Sequence, residues 1–219
     1  MIKLAPQLIN LFATLILMLS FAMISQRRIV SLINLFTVQG AALVAASVLL
    51  GYVTHQPDLY ISGVLTLLLK VIFIPWMLHR VIRKLNVRWD VDTLINIPTT
   101  MLVGIALVIF SFSLALPISR LSSSMAGGSL GIALACVLLS FLMMITRSKA
   151  VPQVIGFLSM ENGLIFAATA VTNGMPMIVE FGIALDVLVG VLILGVFMFQ
   201  IREKFDSLDI HNLETLKED

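Results

Sequence analysis

Gly156-Phe157-Leu158-Ser159-Met160-Glu161-Asn162-Gly163 lies in the middle of an apolar run from Val151 to Val171, in which Glu161 is the one charged side chain. A run of about 20 apolar residues is long enough to cross the hydrocarbon of a bilayer as a helix. A carboxylate held at that depth costs roughly 2.5 to 3.5 kcal/mol on insertion scales, so a charge tolerated there is expected to have a task. Glu161 therefore marks the expected centre of a site.

The rest of the chain has the same character. Of its 219 residues, 59% are hydrophobic and 12% charged, a composition outside the soluble globular class and that of an all-α polytopic membrane protein. Seven apolar spans are read at approximately 5–25, 29–51, 58–82, 96–118, 128–146, 150–172 and 175–201. Met1-Ile2-Lys3 could open a signal peptide, but the first run continues into Arg27 and Arg28 with no small-residue cleavage site, which makes it a helix. A net charge of +2 gives no footprint for nucleic acid. Cys136 and the scattered His55, His79 and His211 supply no ligand set for a metal, haem or iron–sulfur cluster. No cofactor is expected, and any redox chemistry belongs to neighbours.

Basic residues accumulate on the cytoplasmic side of membrane proteins. Arg27 and Arg28, then Arg80, Arg83, Lys84 and Arg88, then Arg147 and Lys149, then Arg202, Lys204 and Lys217 all fall on one face, against Lys3 and Arg120 on the other. The expected topology has the N-terminus outside and the C-terminus in the cytoplasm. The polar tail 203–219 carries Leu208, Ile210, Leu213 and Leu216, a strip that suits docking on a partner or a frayed end.

Compared with itself, the chain shows a weak repeat. The segment 27–40 lies over 149–162 and places Gln39 opposite Glu161; 67–71 lies over 183–187 and places Lys70 opposite Asp186. The expected organisation is an N-terminal three-helix unit over 1–90, a linking helix over 91–125, a second, parallel three-helix unit over 126–202 and a tail over 203–219.

Of the 26 Lys, Arg, Asp and Glu residues, Lys70, Glu161 and Asp186 are expected near the membrane midplane, with Glu180 closer to an outer exit. Lys70 lies too deep to reach either interface by extending its side chain, so it should face protein or water. Burial and opposite charge act in opposing directions on such groups, so moving one charge changes its neighbour's proton affinity. Coupled groups of this kind, connected through water or through the Gln39 and Asn162 amides, are what proton translocation requires. The competing reading is a static buried ion pair of Lys70 with Glu161 or Asp186 that locks helix packing. For Gln39 the ordinary expectation is an interhelical hydrogen bond. Pro75, five residues after Lys70, is placed to open the backbone near it.

The stretch Val154-Ile155-Gly156-Phe157-Leu158-Ser159-Met160-Glu161-Asn162-Gly163, followed by Ile183-Ala184-Leu185-Asp186-Val187-Leu188-Val189-Gly190, resembles the three-helix K subunit of respiratory complex I and the C subunit of multisubunit cation/proton antiporters. Asp186 matches the second of that family's two midmembrane acids. The first departs, because the K-subunit glutamate would align with Leu158, about one helical turn from Glu161. Over nearly its whole length the chain is more similar to component E of hydrogenase-4, through Met160-Glu161-Asn162-Gly163, Glu180-Phe181-Gly182-Ile183-Ala184-Leu185-Asp186, Leu69-Lys70-Val71 with Pro75, and Leu208-Asp209-Ile210-His211-Asn212-Leu213. That resemblance implies a membrane-arm subunit of a group 4 nickel–iron hydrogenase complex of the formate hydrogenlyase type, related to complex I. Antiporter-like membrane subunits and a soluble arm with nickel–iron and iron–sulfur centres would be its partners. It also implies proton or sodium translocation, in a bacterial or archaeal cytoplasmic membrane. Alternatives are a structural adaptor in such a complex and a subunit of a stand-alone cation/proton antiporter.

Overall fold

The computed structural model describes residues 5–85, 93–121, 126–172 and 190. Its helices are α1 (Ala5–Ser25), α2 (Ile29–Thr54), α3 (Asp58–Thr66), a π-helical segment (Leu67–Phe73), α4 (Ile74–Leu85), α5 (Ile97–Leu121), α6 (Ala126–Thr146) and α7 (Ala150–Thr172). Six stretches within them are long and apolar enough to cross a membrane, running from Gln7–Ser25 to Val151–Thr169. They coincide with the first six expected spans; the seventh, 175–201, lies outside the described residues apart from Gly190. The chain is an all-α, multi-pass membrane protein.

Local chemistry explains the breaks. α2 stops where His55 takes a left-handed conformation, φ 55°, and Pro57 precedes the next helix. By contrast α3, the π segment and α4 form one uninterrupted rod over 58–85, because Leu67 and Ile74 keep helical dihedrals at both junctions. The π geometry has a local cause. Pro75 has no N–H and its ring crowds the carbonyl four residues earlier, that of Val71. Widening the turn before it relieves the clash, and the Ile74 N–H accordingly reaches back five residues to the Leu69 carbonyl. Lys70 stands in the middle of this widened turn.

The helices pack as two antiparallel pairs set face to face. α1 lies along α2 and α6 along α7, while α1 also contacts α6 and α2 contacts α7; α5 covers α6 and α1, and the 58–85 rod covers α2. Two apolar clusters fill the interior. One contains Met23 and Ile24 of α1, Leu32, Ile33 and Phe36 of α2, Leu139 and Met143 of α6, and Ile155 and Leu158 of α7. The other contains Ala13 and Ile16, Leu43 and Ala46, Ala133 and Cys136, and Ile165 and Phe166 from the same four helices. Along each of these helices the chain passes from one cluster to the other, and in α1, α2 and α7 a buried polar residue stands at the crossing: Ser20, Gln39, and Glu161 with Asn162. A polar layer thus lies between the two apolar clusters.

Close approach of α7 to α6 is set by Gly163. A Cβ there would lie 3.1 Å from Cys136 Cβ, 3.2 Å from Val137 Cγ2 and 3.3 Å from the Val137 backbone nitrogen, and Ser140 Oγ donates to Ser159 Oγ at 2.9 Å one turn away. Small residues are what allow helices to pack this tightly in lipid. Gly163→Ala is expected to cost about 1–3 kcal/mol through overpacking. A lowered melting temperature of the purified chain in detergent measures it, and an unchanged one contradicts this packing.

Candidate functional site

Lys70, Glu161, Asn162, Gln39 and Ser20 are brought into one connected set from four parts of the fold. The Lys70 side chain is 0% exposed and its Nζ lies 3.2 Å from Glu161 Oε1, itself on a side chain 1% exposed. The same Nζ donates to Asn162 Oδ1 at 3.1 Å. Asn162 Nδ2 donates to Gln39 Oε1 at 3.1 Å, and Gln39 Nε2 donates to Ser20 Oγ at 2.7 Å. Ser20 Oγ in turn donates to the Ile16 carbonyl at 3.0 Å. The path crosses from the π segment to α7, then to α2, then to α1.

The widened turn before Pro75 aims Lys70 at the bundle, while Leu67, Leu68, Ile72 and Phe73 around it remain exposed toward the lipid side. Gly40 lets α2 come against this turn: a Cβ at that position would lie 3.4 Å from Val71 Cγ2 and 3.7 Å from Lys70 Cβ. On α7, Glu161 and Asn162 are adjacent, so their side chains diverge by about 100° around the helix. Both still reach Lys70, because an ammonium offers three donors to acceptors on different sides.

Taking two ions out of water costs several kcal/mol each, so this pair persists only with good geometry and further hydrogen bonds. Here the ammonium has the ion pair at 3.2 Å and a further hydrogen bond to Asn162 Oδ1. The set can therefore hold a charge pair at mid-depth, as an electrostatic relay or a packing lock would.

Four of the residues expected from the sequence, Lys70, Glu161, Asn162 and Gln39, are joined by the fold. Asp186 and Glu180 lie outside the described residues. Ser20 was not foreseen, because a serine in an apolar helix is common and its spacing marks nothing. Arg147 is the other surprise. Counted in the sequence among loop cations, it is 1% exposed, and its Nη2 donates to the Ile24 carbonyl and, at 3.5 Å, to that of Met23. A cation at a helix C-terminus satisfies orphan carbonyls and the helix dipole. Burial pushes the Arg147 guanidinium below its usual proton affinity. The α4–α5 connection is tied to the same loop, with Leu94 N–H donating to the Thr146 carbonyl at 2.9 Å.

These features define a class: a multi-pass helical membrane protein with an ion pair and an amide ladder sealed at its centre. The chain is 30% identical over 212 residues to the uncharacterized protein Rv0085 of Mycobacterium tuberculosis, covering 96% of both chains, and it belongs to the same family as that protein. It is also 25% identical over 218 residues to hydrogenase-4 component E of Escherichia coli strain K12, covering 96% of this chain and 97% of that one, and to its counterpart in Shigella flexneri to the same extent. No family model matches the chain, and no solved structure matches it.

Proposed function

We propose that the chain is a membrane-arm subunit of a complex I-related hydrogenase of the hydrogenase-4 type, and that it contributes to moving protons or sodium ions through its intramembrane charges. The observation that carries this is the Lys70–Glu161 pair, sealed at 3.2 Å between two apolar clusters and extended by an amide ladder. Near-full-length similarity to hydrogenase-4 component E supplies the setting. Partners in this reading are antiporter-like membrane subunits and a soluble arm that holds the nickel–iron and iron–sulfur centres. The topology is N-terminus outside and C-terminus in the cytoplasm of a bacterial or archaeal membrane.

Lys70, Glu161 and Asp186 form the relay, with Glu180 toward the outer exit. Two three-helix units, 1–90 and 126–202, flank the linking helix 91–125. What supports the repeat is the matching bounds of the first two helices in each unit: Ala5–Ser25 against Ala126–Thr146, each 21 residues, with the next helices starting at Ile29 and Ala150.

Glu161→Gln keeps the side chain's size and an acceptor for Lys70 while removing the exchangeable charge. In inverted membrane vesicles the assembled variant complex is expected to lose most of its ion movement per hydrogen turned over. Assembly is followed on native gels. Normal ion movement in an assembled Glu161→Gln complex defeats the relay. It would favour the second reading, a structural adaptor, which the complete enclosure of the pair within the chain also suits.

A further inference from the structure

The hydrogen bonds leading away from Lys70 have a direction. An ammonium has donors and no acceptor, so the Asn162 atom facing it is Oδ1. That leaves Nδ2 for Gln39, which must answer with Oε1. Gln39 then has only Nε2 for Ser20, whose oxygen can accept because its own proton is committed to the Ile16 carbonyl. Each orientation forces the next. Reversing any one amide alone would set donor against donor or acceptor against acceptor in a buried site, at about 1–3 kcal/mol per orphaned group. Ser20, Gln39, Asn162 and Lys70 are all between 0% and 2% exposed, so bulk water is not at hand to correct a wrong orientation.

We propose that Ser20 is a positioning residue for Lys70: its hydroxyl on α1 anchors the far end of the Gln39–Asn162 ladder, and so holds in place the amide that Asn162 turns toward the lysine. The inference rests on the reading of Lys70 and Glu161 as the pair that handles charge. It adds a member that touches neither.

The test uses the full chain with nitrogen-15 in its lysine side chains, reconstituted in lipid bilayers and observed by solid-state magnetic resonance. The Lys70 Nζ signal is identified by its loss in Lys70→Arg. Ser20→Ala is expected to shift or double that signal by more than its linewidth, because the buried Gln39 Nε2 loses its acceptor and the ladder is no longer held at that end. Ser20→Thr, which keeps the hydroxyl, is expected to leave it in place. Gln39→Leu cuts the ladder one step nearer the lysine and should shift the signal as well. Adding Ser20→Ala to Gln39→Leu should change nothing further, as for two members of one chain of contacts.

An unmoved Lys70 signal in folded Ser20→Ala overturns the proposal, as does a signal displaced equally by Ser20→Thr. A role in packing alone would lower the melting temperature and leave Nζ where it was. The readout does not depend on translocation. A shifted signal together with normal ion movement in Glu161→Gln sinks the relay and leaves the ladder standing.

Discussion

Lys70→Met is expected to strip most of the chain from the membrane. The substitution leaves the Glu161 carboxylate buried without the ammonium that lies 3.2 Å from it. Removing one partner of a buried pair typically costs about 3–5 kcal/mol, far more than the pair itself contributes. Against a usual folding stability of about 5–15 kcal/mol, that is about a fifth or more of what holds a domain together. The steady-state level on an immunoblot should fall sharply. Adding Glu161→Gln should bring much of it back, because a neutral amide beside a thioether asks for far less solvation than an ion does. An undiminished level of the single variant would mean that the pair is not sealed as described. The rescued double variant also separates the two functional readings: a relay predicts an assembled complex that no longer moves ions, whereas an adaptor predicts one that still does.

Asn162→Leu is the second large effect. Asn162 is the branch point of the network, accepting from Lys70 through Oδ1 and donating to Gln39 Oε1 through Nδ2. Leucine is of similar size but makes neither bond, so it takes an acceptor from a buried ammonium and orphans a buried amide carbonyl. At about 1–3 kcal/mol for each of the two groups, the loss should reach about 2–6 kcal/mol, measured as a drop in melting temperature. Asn162→Asp should cost at least as much, because it keeps an acceptor for the lysine but adds a second buried carboxylate beside Glu161. If Asn162→Leu proved neutral, the amide ladder would be a passive contact.

Much of the fold was legible in the chain because the bilayer imposes a coarse and strict rule: every span must be apolar for about 20 residues and must satisfy its own backbone. The run that became α7 is apolar apart from Glu161 and a few amides and hydroxyls, and its bounds follow from that. The same rule made Lys70 and Glu161 conspicuous, since charges inside such runs are costly wherever they point. Neither Ser20 nor Arg147 carried a signal of this kind. A serine is tolerated in any apolar helix, and an arginine just past a helix end reads as a headgroup-facing cation. Its seat under the last turn of α1 depends on how a distant loop folds back.

Sequence alone determined that this is a multi-pass helical membrane protein with titratable side chains at depth, because insertion cost depends on composition and length and hardly on what lies opposite. It also supplied Pro75 as the reason for a disturbed backbone near Lys70. Only the tertiary structure decided which charges meet. Residue 70 and residues 161 and 162 lie far apart in the chain, and a pairing energy that falls steeply over a few ångströms is set by helix rotation, by the approach that Gly40 and Gly163 permit, and by the extra residue in the widened turn. None of these leaves a mark on hydropathy.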